Sequence, residues 1–406
     1  MSTGTITDPA PLDAADPLAA HRDLFVGAET PLVYFDGNSL GRPLRVTGPR
    51  LAAFVEQEWG GRLIRGWDER WFELPLTLGD RLGRACLGAA AGQTAIADST
   101  TVLLYKTIRA ALAARPGRTE IVLDRDQFPT DRYVAAGIAE ETGATLRWIE
   151  VDTSAGVTPE LLAEVVGEQT AVVLLNHVAY RSAWLADAPA LTRIAHDAGA
   201  LVIWDLCHSA GVVPVELDAW DVDLAVGCSY KYLNGGPGAP AFVYAAARLQ
   251  DELRQPLQGW MGAADPFTMG PSYEPAPGMR RWLSGTPAVV GMLALEDMVD
   301  LLGEVGVEAV RAKSVGLTAY AAEVAAELLP EVAPASPTDP ERRGGHLTLS
   351  HPAMREVTAA LWRRDVIPDY RDPHGLRIGL SPLSTSYAEV RAGLDAVREV
   401  LDEVTA

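Results

Sequence analysis

Ser229-Tyr230-Lys231-Tyr232-Leu233-Asn234-Gly235-Gly236-Pro237-Gly238 is a glycine-rich segment that carries one of only three lysines in this 406-residue chain. Arginine supplies 31 of the 34 basic residues, so a lysine beside a glycine-rich turn indicates a role that arginine cannot fill. A primary amine can lose its proton near neutral pH and form a Schiff base, whereas a guanidinium cannot. An ordinary surface lysine is the alternative. We favour a reactive amine that binds pyridoxal 5′-phosphate (PLP).

A second polar segment, Trp204-Asp205-Leu206-Cys207-His208, follows a strongly apolar run. A carboxylate there is costly unless it is paired. A protonated pyridinium nitrogen is a suitable partner, and the pairing would make the PLP ring an electron sink. Asp205 could instead cap a helix at a strand–helix junction. His208 could stack on the cofactor, hydrogen-bond to it, or only cap the turn.

Two further segments fit the same cofactor. Ala97-Asp98-Ser99-Thr100-Thr101-Val102 precedes a helical run, and hydroxyls with free N–H groups at a helix start suit a phosphate. Ordinary N-capping is the alternative. In Gln127-Phe128-Pro129-Thr130-Asp131, Phe128 could lie over the pyridine ring and Asp131 could bind its substituents. A proline-containing loop that caps a helix would produce the same pattern.

The composition narrows the class of protein. A chain of this length usually forms more than one domain, and 48% hydrophobic with 22% charged residues is ordinary for a soluble globular enzyme. The net charge of −20 argues against binding to nucleic acid or to anionic membranes, because such binding favours clustered basic residues. We expect a small-molecule substrate as the partner.

The cysteines and the N-terminus bear on location and metals. Three cysteines without C-x-x-C spacing argue against a disulfide framework or a zinc site, which predicts a reducing cytoplasm. Residues 1–16 lack the basic start and apolar core of a signal peptide, and no run of about 18 apolar residues exists. The seven histidines include no H-x-x-x-H pair, so no metal is indicated.

The middle of the chain alternates short β-rich runs with helical stretches, which is typical of an α/β fold. Several runs are apolar on both faces, as in a parallel sheet covered by helices. Ligand groups in such sheets come from the carboxyl ends of strands, so Asp205 and Lys231 are expected to face one crevice. The predicted strands are 121–124, 145–150, 171–175, 201–204 and 224–227, and helices are expected over 132–142 and 188–198.

After residue 290 the pattern changes to long helical stretches, which predicts a smaller α+β domain. Helices are expected over 290–329, 352–363 and 387–404, with strands near 345–350 and 375–380 and a loop over 334–345. Residues 1–20, rich in Pro, Ala and Asp, are expected to form a loose arm. The predicted divisions are 1–45 (arm and a segment of the small domain and active site), 46–288 (large PLP-binding domain) and 289–406 (small domain).

Along nearly its whole length the sequence resembles the kynureninases, which are PLP enzymes of fold type I related to aspartate aminotransferase. The opening motif Tyr34-Phe-Asp-Gly-Asn-Ser-Leu-Gly41 and the Lys231 segment together are specific to that family. Further matches are Phe128-Pro-Thr-Asp131, Asp205-Leu-Cys-His208-Ser-Ala-Gly211, Gly259-Trp-Met-Gly262 and Ser284-Gly-Thr-Pro287. The resemblance implies a large, mostly parallel sheet of the seven-stranded type and a homodimer with shared active sites.

The resemblance also implies a role for each matching residue. Lys231 would form the Schiff base and move protons, with Tyr230 beside it as a proton donor or relay. The implied cofactor-binding residues are Thr100, Thr101, Phe128, Asp131, Asp205, His208, Tyr230 and Lys231, with Trp260 and Thr286 from the other subunit. Arg377 would bind the substrate α-carboxylate in a bidentate manner, near Asn38 and Ser39. Trp67 and Gly285 are also implied to bind the substrate; they stand where bacterial members carry Trp and Gly and vertebrate members carry His and Asn, which suits the bacterial type.

The implied activity is PLP-dependent hydrolysis of the Cβ–Cγ bond of L-kynurenine or 3-hydroxykynurenine, which yields anthranilate or 3-hydroxyanthranilate and L-alanine and serves tryptophan catabolism. Several family side chains shrink here, which leaves two alternatives open: a related lyase that cleaves a substituted kynurenine or another amino acid, and a PLP-binding paralogue without this activity. The positions that depart from the family are Leu103, Ala179, Ala183, Ala186, Ala263, Ser350, Ser384 and Ser386.

Overall fold

The computed structural model describes residues 8–406 as alternating strands and helices in the first two thirds and a helix-rich remainder. The strands are β1 (Val33–Tyr34), β2 (Thr94–Ala97), β3 (Glu120–Asp124), β4 (Thr145–Ile149), β5 (Thr170–Asn176), β6 (Leu201–Asp205), β7 (Leu224–Gly227), β8 (Ala241–Ala245), β9 (Ala333–Pro334), β10 (His346–Ser350), β11 (Val366–Ile367), β12 (Asp369–Arg371) and β13 (Gly375–Gly379). The α-helices are α1 (Pro9–Ala15), α2 (Thr47–Ala53), α3 (Gly60–Arg62), α4 (Leu74–Leu82), α5 (Thr100–Ala113), α6 (Pro129–Thr142), α7 (Pro159–Val165), α8 (Ala188–Asp197), α9 (Val289–Val305), α10 (Val307–Leu328), α11 (Met354–Trp362) and α12 (Tyr387–Thr405).

Seven strands form the large sheet in the order β2-β8-β7-β6-β5-β3-β4. The run from β7 to β4 is parallel, and β8 lies antiparallel between β7 and β2. The five strands predicted from the sequence are all in the parallel run, so the predicted α/β architecture is confirmed. Strands β2 and β8 were not predicted, because β2 is a four-residue run with two alanines and β8, antiparallel to both neighbours, lies outside the βαβ pattern.

Both faces of the large sheet are covered, which explains why its strands read as continuous apolar runs. Along β6, Leu201 and Ile203 pack into one buried cluster with α5 and α6. Val202 and Trp204 point the other way, into a second cluster with α4, α8 and α9. Successive side chains of a strand alternate between faces, so a strand covered on both sides must be apolar at every position.

A four-stranded antiparallel sheet, ordered β12-β13-β10-β9, forms the smaller C-terminal layer with α10, α11 and α12. The single helix expected over 290–329 is two helices, because Gly306 adopts a left-handed φ of 81° between α9 and α10. Glycine adopts that conformation at little steric cost because it has no Cβ. Since α9 packs with the large sheet, we propose that the domain boundary lies nearer Gly306 than the predicted 288/289.

The described part of the N-terminus is helical and docked, whereas a loose arm was expected. Asp13 of α1 accepts hydrogen bonds from the backbone N–H groups of Tyr387 and Ala388, at 2.8 and 2.9 Å, and thereby caps α12. Asp16 forms a buried ion pair with Lys313 at 2.7 Å. These contacts with a distant helix have no local sequence signature. Residues 1–7 of the expected arm lie outside the described residues.

The opening motif runs between the two sheets and so reaches the crevice that they enclose. β1 pairs in parallel with β11, and Asp36 bridges to Gly379 at the end of β13. The backbone N–H of Gly41 then donates to the carbonyl of Tyr230 at 2.9 Å. A Cβ on Gly41 would lie only 2.5 Å from the carbonyl oxygen of Lys231, so this close approach requires glycine. Among residues 8–406, no helix combines the length and apolarity needed to cross a membrane.

Candidate active site

Two carboxylates meet at the carboxyl ends of the central strands. Asn176, the last residue of β5, pairs in register with Asp205, the last residue of β6. The Asn176 side-chain amide donates to Asp205 at 2.8 Å and to Asp131 of α6 at 3.1 Å. Asp205 also accepts from the backbone N–H of Cys207 at 2.7 Å, and Asp131 accepts from Gln127 at 2.9 Å.

This pair carries more negative charge than its neighbours neutralise. Burial, and then the nearby Asp205, raise the pKa of Asp131 well above its usual range. Both carboxylates are at most 4% exposed. A buried site with this excess of acceptors suits a cation that donates a hydrogen bond. The protonated nitrogen of a pyridine ring has that chemistry, so these residues fit the ring end of PLP.

The lysine amine lies against the turn that follows Asp205. Lys231 is buried, and its Nζ lies 3.2 Å from Nε2 of His208. The same Nζ is 5.7 Å from the centre of the Phe128 ring. Burial, and then the positive charge of Lys231, hold the pKa of His208 well below its usual range. His208 is therefore a neutral imidazole at physiological pH.

The start of α5 forms a further wall close to the same crevice. Ser99 caps the helix by accepting from the backbone N–H of Val102 at 3.4 Å. The Thr100 hydroxyl lies 3.9 Å from the thiol of Cys207, which places it against the Asp205–His208 turn. The first N–H groups of a helix have no partner within the helix, and with Thr100 and Thr101 they offer an anion site.

Tyr230 lies next to Lys231 in the chain and is half-buried. Burial, and then the neighbouring Cys228, raise the pKa of its phenol above the usual value. Tyr230 therefore keeps its proton throughout the physiological pH range. It can donate a hydrogen bond or a proton, but it is a poor base without a change in its surroundings.

Arg377 of β13 is buried opposite the lysine and is held by partners distant in sequence. It donates to the carbonyl oxygen of Tyr180 at 2.7 Å and to the Ser39 hydroxyl at 2.9 Å, and it forms an ion pair with Asp369. Its Nε has no hydrogen-bond partner. A fixed guanidinium with a free N–H can bind a carboxylate by donating a hydrogen bond to it.

Arg377 and Lys231 are linked through Phe128 and Tyr180. The Phe128 ring, which faces the lysine amine, makes an edge contact with Tyr180 at 5.4 Å between ring centres. The carbonyl of Tyr180 in turn accepts the hydrogen bond from Arg377. The crevice therefore holds an amine, a carboxylate cluster and a guanidinium within a few side-chain lengths, which is the set needed to hold an α-amino acid on PLP.

The opening motif supplies the floor next to Arg377. Asn38 is fully buried, and neither its amide nitrogen nor its oxygen has a hydrogen-bond partner. Asp36 also has an unpaired carboxylate oxygen. Its pKa is raised to about 6 because the group is buried; the Ser39 hydrogen bond opposes this rise. Unpaired buried polar atoms beside a binding crevice are candidates for contact with substrate.

Four residues that the resemblance assigns to the site stand apart from it in the single chain. Trp67 makes an edge contact with Trp71, 5.5 Å between ring centres, and Trp260 makes one with Phe267 at 6.3 Å. Gly285 and Thr286 are exposed. Within residues 8–406, no hydrogen bond or ring contact joins these four to the Lys231 cluster. Their expected contribution from a second subunit stays a prediction.

Several residues in the crevice were not predicted from the sequence. They are Asn176, Tyr180, His346 and Asp369. Asn176 at the end of an apolar strand carried the same signal as Asp205 and could have been found. His346 is fully buried without a partner for either ring nitrogen, and its ring centre is 5.8 Å from that of His208. Its proximity, like that of Asp369, depends on contacts between β-strands distant in sequence.

Several departures from the family pattern have structural contacts outside the Lys231 cluster. Ser386 is the N-cap of α12 and accepts from Glu389 at 3.1 Å, and the Ser384 carbonyl accepts from Arg22 at 3.3 Å. Ala186 pairs through its backbone with His177, and Leu103 is fully buried in α5. Ala179 precedes Tyr180 and so is the departure with a direct neighbour in the crevice.

Comparison with known proteins identifies relatives over the full length. The family model for the kynureninase C-terminal domain matches residues 310–397. A kynureninase from Pseudomonas fluorescens is 40% identical over 411 residues, which covers 99% of this chain and 96% of that protein. A kynureninase from Burkholderia pseudomallei is 40% identical over 398 residues, covering 96% of this chain and 94% of that protein.

Solved structures share the fold at lower identity. A C-DES mutant with glycine covalently linked to its PLP cofactor is 19% identical and has a TM-score of 0.81, covering 93% of this chain and 99% of that chain. The cysteine desulfurase of Thermococcus onnurineus is 18% identical with a TM-score of 0.80, covering 99% of this chain and all of that chain. At these identities the likeness establishes the fold.

Proposed function

The chain belongs to the kynureninase family, and on that premise we propose that the crevice around Lys231 is its active site. The chain is a PLP-dependent hydrolase that cleaves the carbon–carbon bond between the alanine part and the aryl ketone of kynurenine. The observation that carries the assignment is the juxtaposition of the Lys231 amine, the Asp205–Asn176–Asp131 cluster and Arg377 in one crevice.

PLP, when bound, supplies an electron sink for the substrate Cα. We assign Asp205 to the ring nitrogen because its carboxylate is buried at the carboxyl end of the sheet and held by Asn176 and by the Cys207 N–H. We assign the start of α5, with Thr100 and Thr101, to the phosphate. Phe128 would cover one face of the ring, since it already lies over the lysine amine.

The proton transfers fall to Lys231 and Tyr230. The Lys231 amine is the group placed to take the proton from the substrate Cα and to return a proton later. Tyr230 stays protonated because its pKa is raised, so it would donate a hydrogen bond to the γ-carbonyl oxygen as water attacks. Because His208 is neutral, it adds no second positive charge beside the Lys231 amine.

Arg377 orients the substrate through its α-carboxylate. Its partners Tyr180, Ser39 and Asp369 hold the guanidinium plane in place, which lowers the entropic cost of binding. Asn38 offers an unpaired amide at the same floor. These contacts bind the amino-acid part of the substrate, and other residues must contact its aryl group.

We propose that L-kynurenine is preferred over 3-hydroxykynurenine. Gly285 offers no side chain to hydrogen-bond a ring hydroxyl, and a Cβ there would meet nothing within 4 Å. Trp67, which the resemblance also assigns to the substrate, is mainly apolar. An apolar pocket discriminates against an added hydroxyl by no more than about 10²-fold, so 3-hydroxykynurenine should still be cleaved, more slowly.

The functional unit is proposed to be a homodimer, as the resemblance implies. Two exposed apolar patches support this arrangement. One contains Trp260 (46% exposed) and Phe267 (62%), and the other contains Leu63 and Ile64 (77%). Exposed apolar side chains that cluster mark interaction surfaces; the first patch includes Trp260, and the second lies a few residues before Trp67 in the chain. A cytoplasmic location remains a prediction from the cysteine content.

Steady-state kinetics with purified holoenzyme test this function. Kynurenine and 3-hydroxykynurenine are supplied in parallel, and alanine is measured with the aryl acid. A higher kcat/KM for kynurenine supports the proposal. A higher value for 3-hydroxykynurenine would overturn the substrate preference, and a PLP-loaded protein that releases no alanine from either would favour the inactive paralogue. Tyr230→Phe should lower kcat with little change in KM.

A further inference from the structure

A second cavity lies in the small C-terminal layer, away from the Lys231 crevice. It has a volume of about 210 Å³ and is bounded by α10, by β10 and by the loop that follows β9. Its buried wall is mostly apolar and includes Ala325, Val332, Leu347 and Leu349. Ala326, on the exposed face of α10, lies at its mouth. None of its lining residues belongs to the site described above.

Arg343 is the one charged residue among those that line this cavity. It is 1% exposed. Its Nη1 donates to the carbonyl oxygen of Pro337 at 2.7 Å, while Nε and Nη2 have no hydrogen-bond partner. No carboxylate within residues 8–406 forms an ion pair with it. A buried guanidinium with two free nitrogens is costly unless an anion pairs with it.

The neighbouring Arg311 adds to this positive charge. It is 8% exposed, and it donates to the carbonyl oxygen of Arg343 at 2.8 Å. Its acidic partner, Glu341, lies 3.7 Å away on an exposed side chain. Arginine does not lose its proton in proteins, so neutralisation cannot relieve the repulsion between the two guanidiniums. Asp339 attracts the Arg343 guanidinium without forming an ion pair with it, and a bound anion would compensate the charge directly.

The volume and apolar lining of the cavity determine which group the anion can carry. An apolar cavity of about 150 Å³ accommodates benzene, so about 210 Å³ accommodates a benzene ring with a carboxylate. The planar fork of a guanidinium matches a carboxylate in geometry. We propose that this cavity binds a small aromatic carboxylate, with the carboxylate on Arg343 and the ring against Ala325, Leu347 and Leu349.

Binding of 4-fluorobenzoate to the PLP-loaded protein, followed by fluorine NMR, tests the proposal. Ala326→Leu narrows the mouth from an exposed helix position and should weaken binding at least tenfold. Glu323→Leu adds the same side chain to an exposed position of α10 outside the cavity and should leave binding unchanged. Arg377→Lys, in the other site, separates the two carboxylate sites and should also leave this binding in place.

Two further measurements test the chemistry of recognition. Arg343→Gln removes the charge and should weaken binding of 4-fluorobenzoate at least tenfold, and 4-fluorobenzamide, which has no charge, should bind at least tenfold more weakly to the unchanged protein. The proposal is overturned if Ala326→Leu binds the probe normally or if Arg377→Lys alone abolishes binding. Because binding is measured rather than turnover, the result does not depend on the kynureninase activity.

Discussion

The side-chain amide of Asn176 donates a 2.8 Å hydrogen bond to the carboxylate of Asp205, and the two residues face each other at the ends of adjacent parallel strands. The same amide reaches Asp131 at 3.1 Å. Asn176 therefore holds together two buried carboxylates that would otherwise repel each other. Asn176 thereby fixes the position of Asp205, the carboxylate that we assign to the ring nitrogen of PLP.

Replacing Asn176 with Leu should weaken PLP binding. Loss of a hydrogen bond to a charged group costs about 1.5–3 kcal/mol, so the dissociation constant of PLP should rise at least tenfold in a fluorescence titration. Gln127→Leu is the matched control, because the Gln127 amide bonds Asp131 and not Asp205. Equal losses in the two variants would show that Asn176 has no special role at Asp205.

Replacing Arg377 with Lys should act mainly on KM. A lysine cannot reproduce the fork that bonds Tyr180 and Ser39 while it receives a carboxylate. KM for kynurenine should rise about 10²-fold, with a smaller change in kcat. Arg371→Lys is the control, because Arg371 pairs with the same Asp369, at 2.9 Å, from a more exposed position. An unchanged KM with a reduced kcat would assign Arg377 to another step.

Asp36 should make stability depend on pH. Its pKa in the folded protein is about 6 against an ordinary value of 3.8, mainly because the carboxyl is buried. The folded state therefore binds the proton more tightly, so this group lowers stability as pH rises from about 4 to 6 and its full cost is present above pH 6. A tenfold difference in proton affinity between the folded and unfolded states corresponds to about 1.4 kcal/mol.

Asp36→Asn removes that cost, so the free energy of unfolding should increase by about 2–3 kcal/mol at pH 7.5 and change little at pH 4. Denaturant unfolding at both values measures the difference. Asp68→Asn, at an exposed position, should have a small effect at either pH. A gain from Asp36→Asn that is the same at pH 4 and pH 7.5 would rule out the carboxylate charge as its cause.

Replacing Ala183 with Gly should stabilise the folded protein. It is fully buried with a left-handed φ of 63°. That conformation costs a side-chain-bearing residue about 1–2 kcal/mol, partly offset by the extra freedom of glycine when unfolded. Ala183→Gly should therefore add about 0.5–1 kcal/mol to the free energy of unfolding, measured by denaturant titration. Ala179→Gly, outside the left-handed region, should destabilise; a loss in both variants would contradict the backbone explanation.

The sequence was sufficient where the signal is local. The apolar runs 201–204 and 224–227 predicted strands of a parallel sheet, and the rare Lys231 predicted a reactive amine just after one of them. The structure has both strands and brings Lys231 to His208. β2 and β8 were missed because β8 runs antiparallel to both of its neighbours, so the two strands fall outside the βαβ pattern that identified the others.

Contacts between residues far apart in the chain account for the rest. Arg377 could be assigned only by resemblance, because its partners Tyr180 and Ser39 lie 197 and 338 positions away. The docking of α1 through Asp13 depends on a helix end more than 370 positions later. Neither hydrophobic periodicity nor turn signals carry such information. Roles assigned to Trp260 and Thr286 require a second subunit.

The most direct test mixes PLP-loaded protein with L-kynurenine and measures anthranilate and L-alanine together. We predict that the two products appear in equal amounts and that Lys231→Ala reduces their rate of formation about 10³-fold or more, as expected when the residue that transfers protons is lost. Full activity in Lys231→Ala, or PLP-loaded protein that consumes no kynurenine, would contradict the assignment of Lys231 as the reactive amine of a kynureninase.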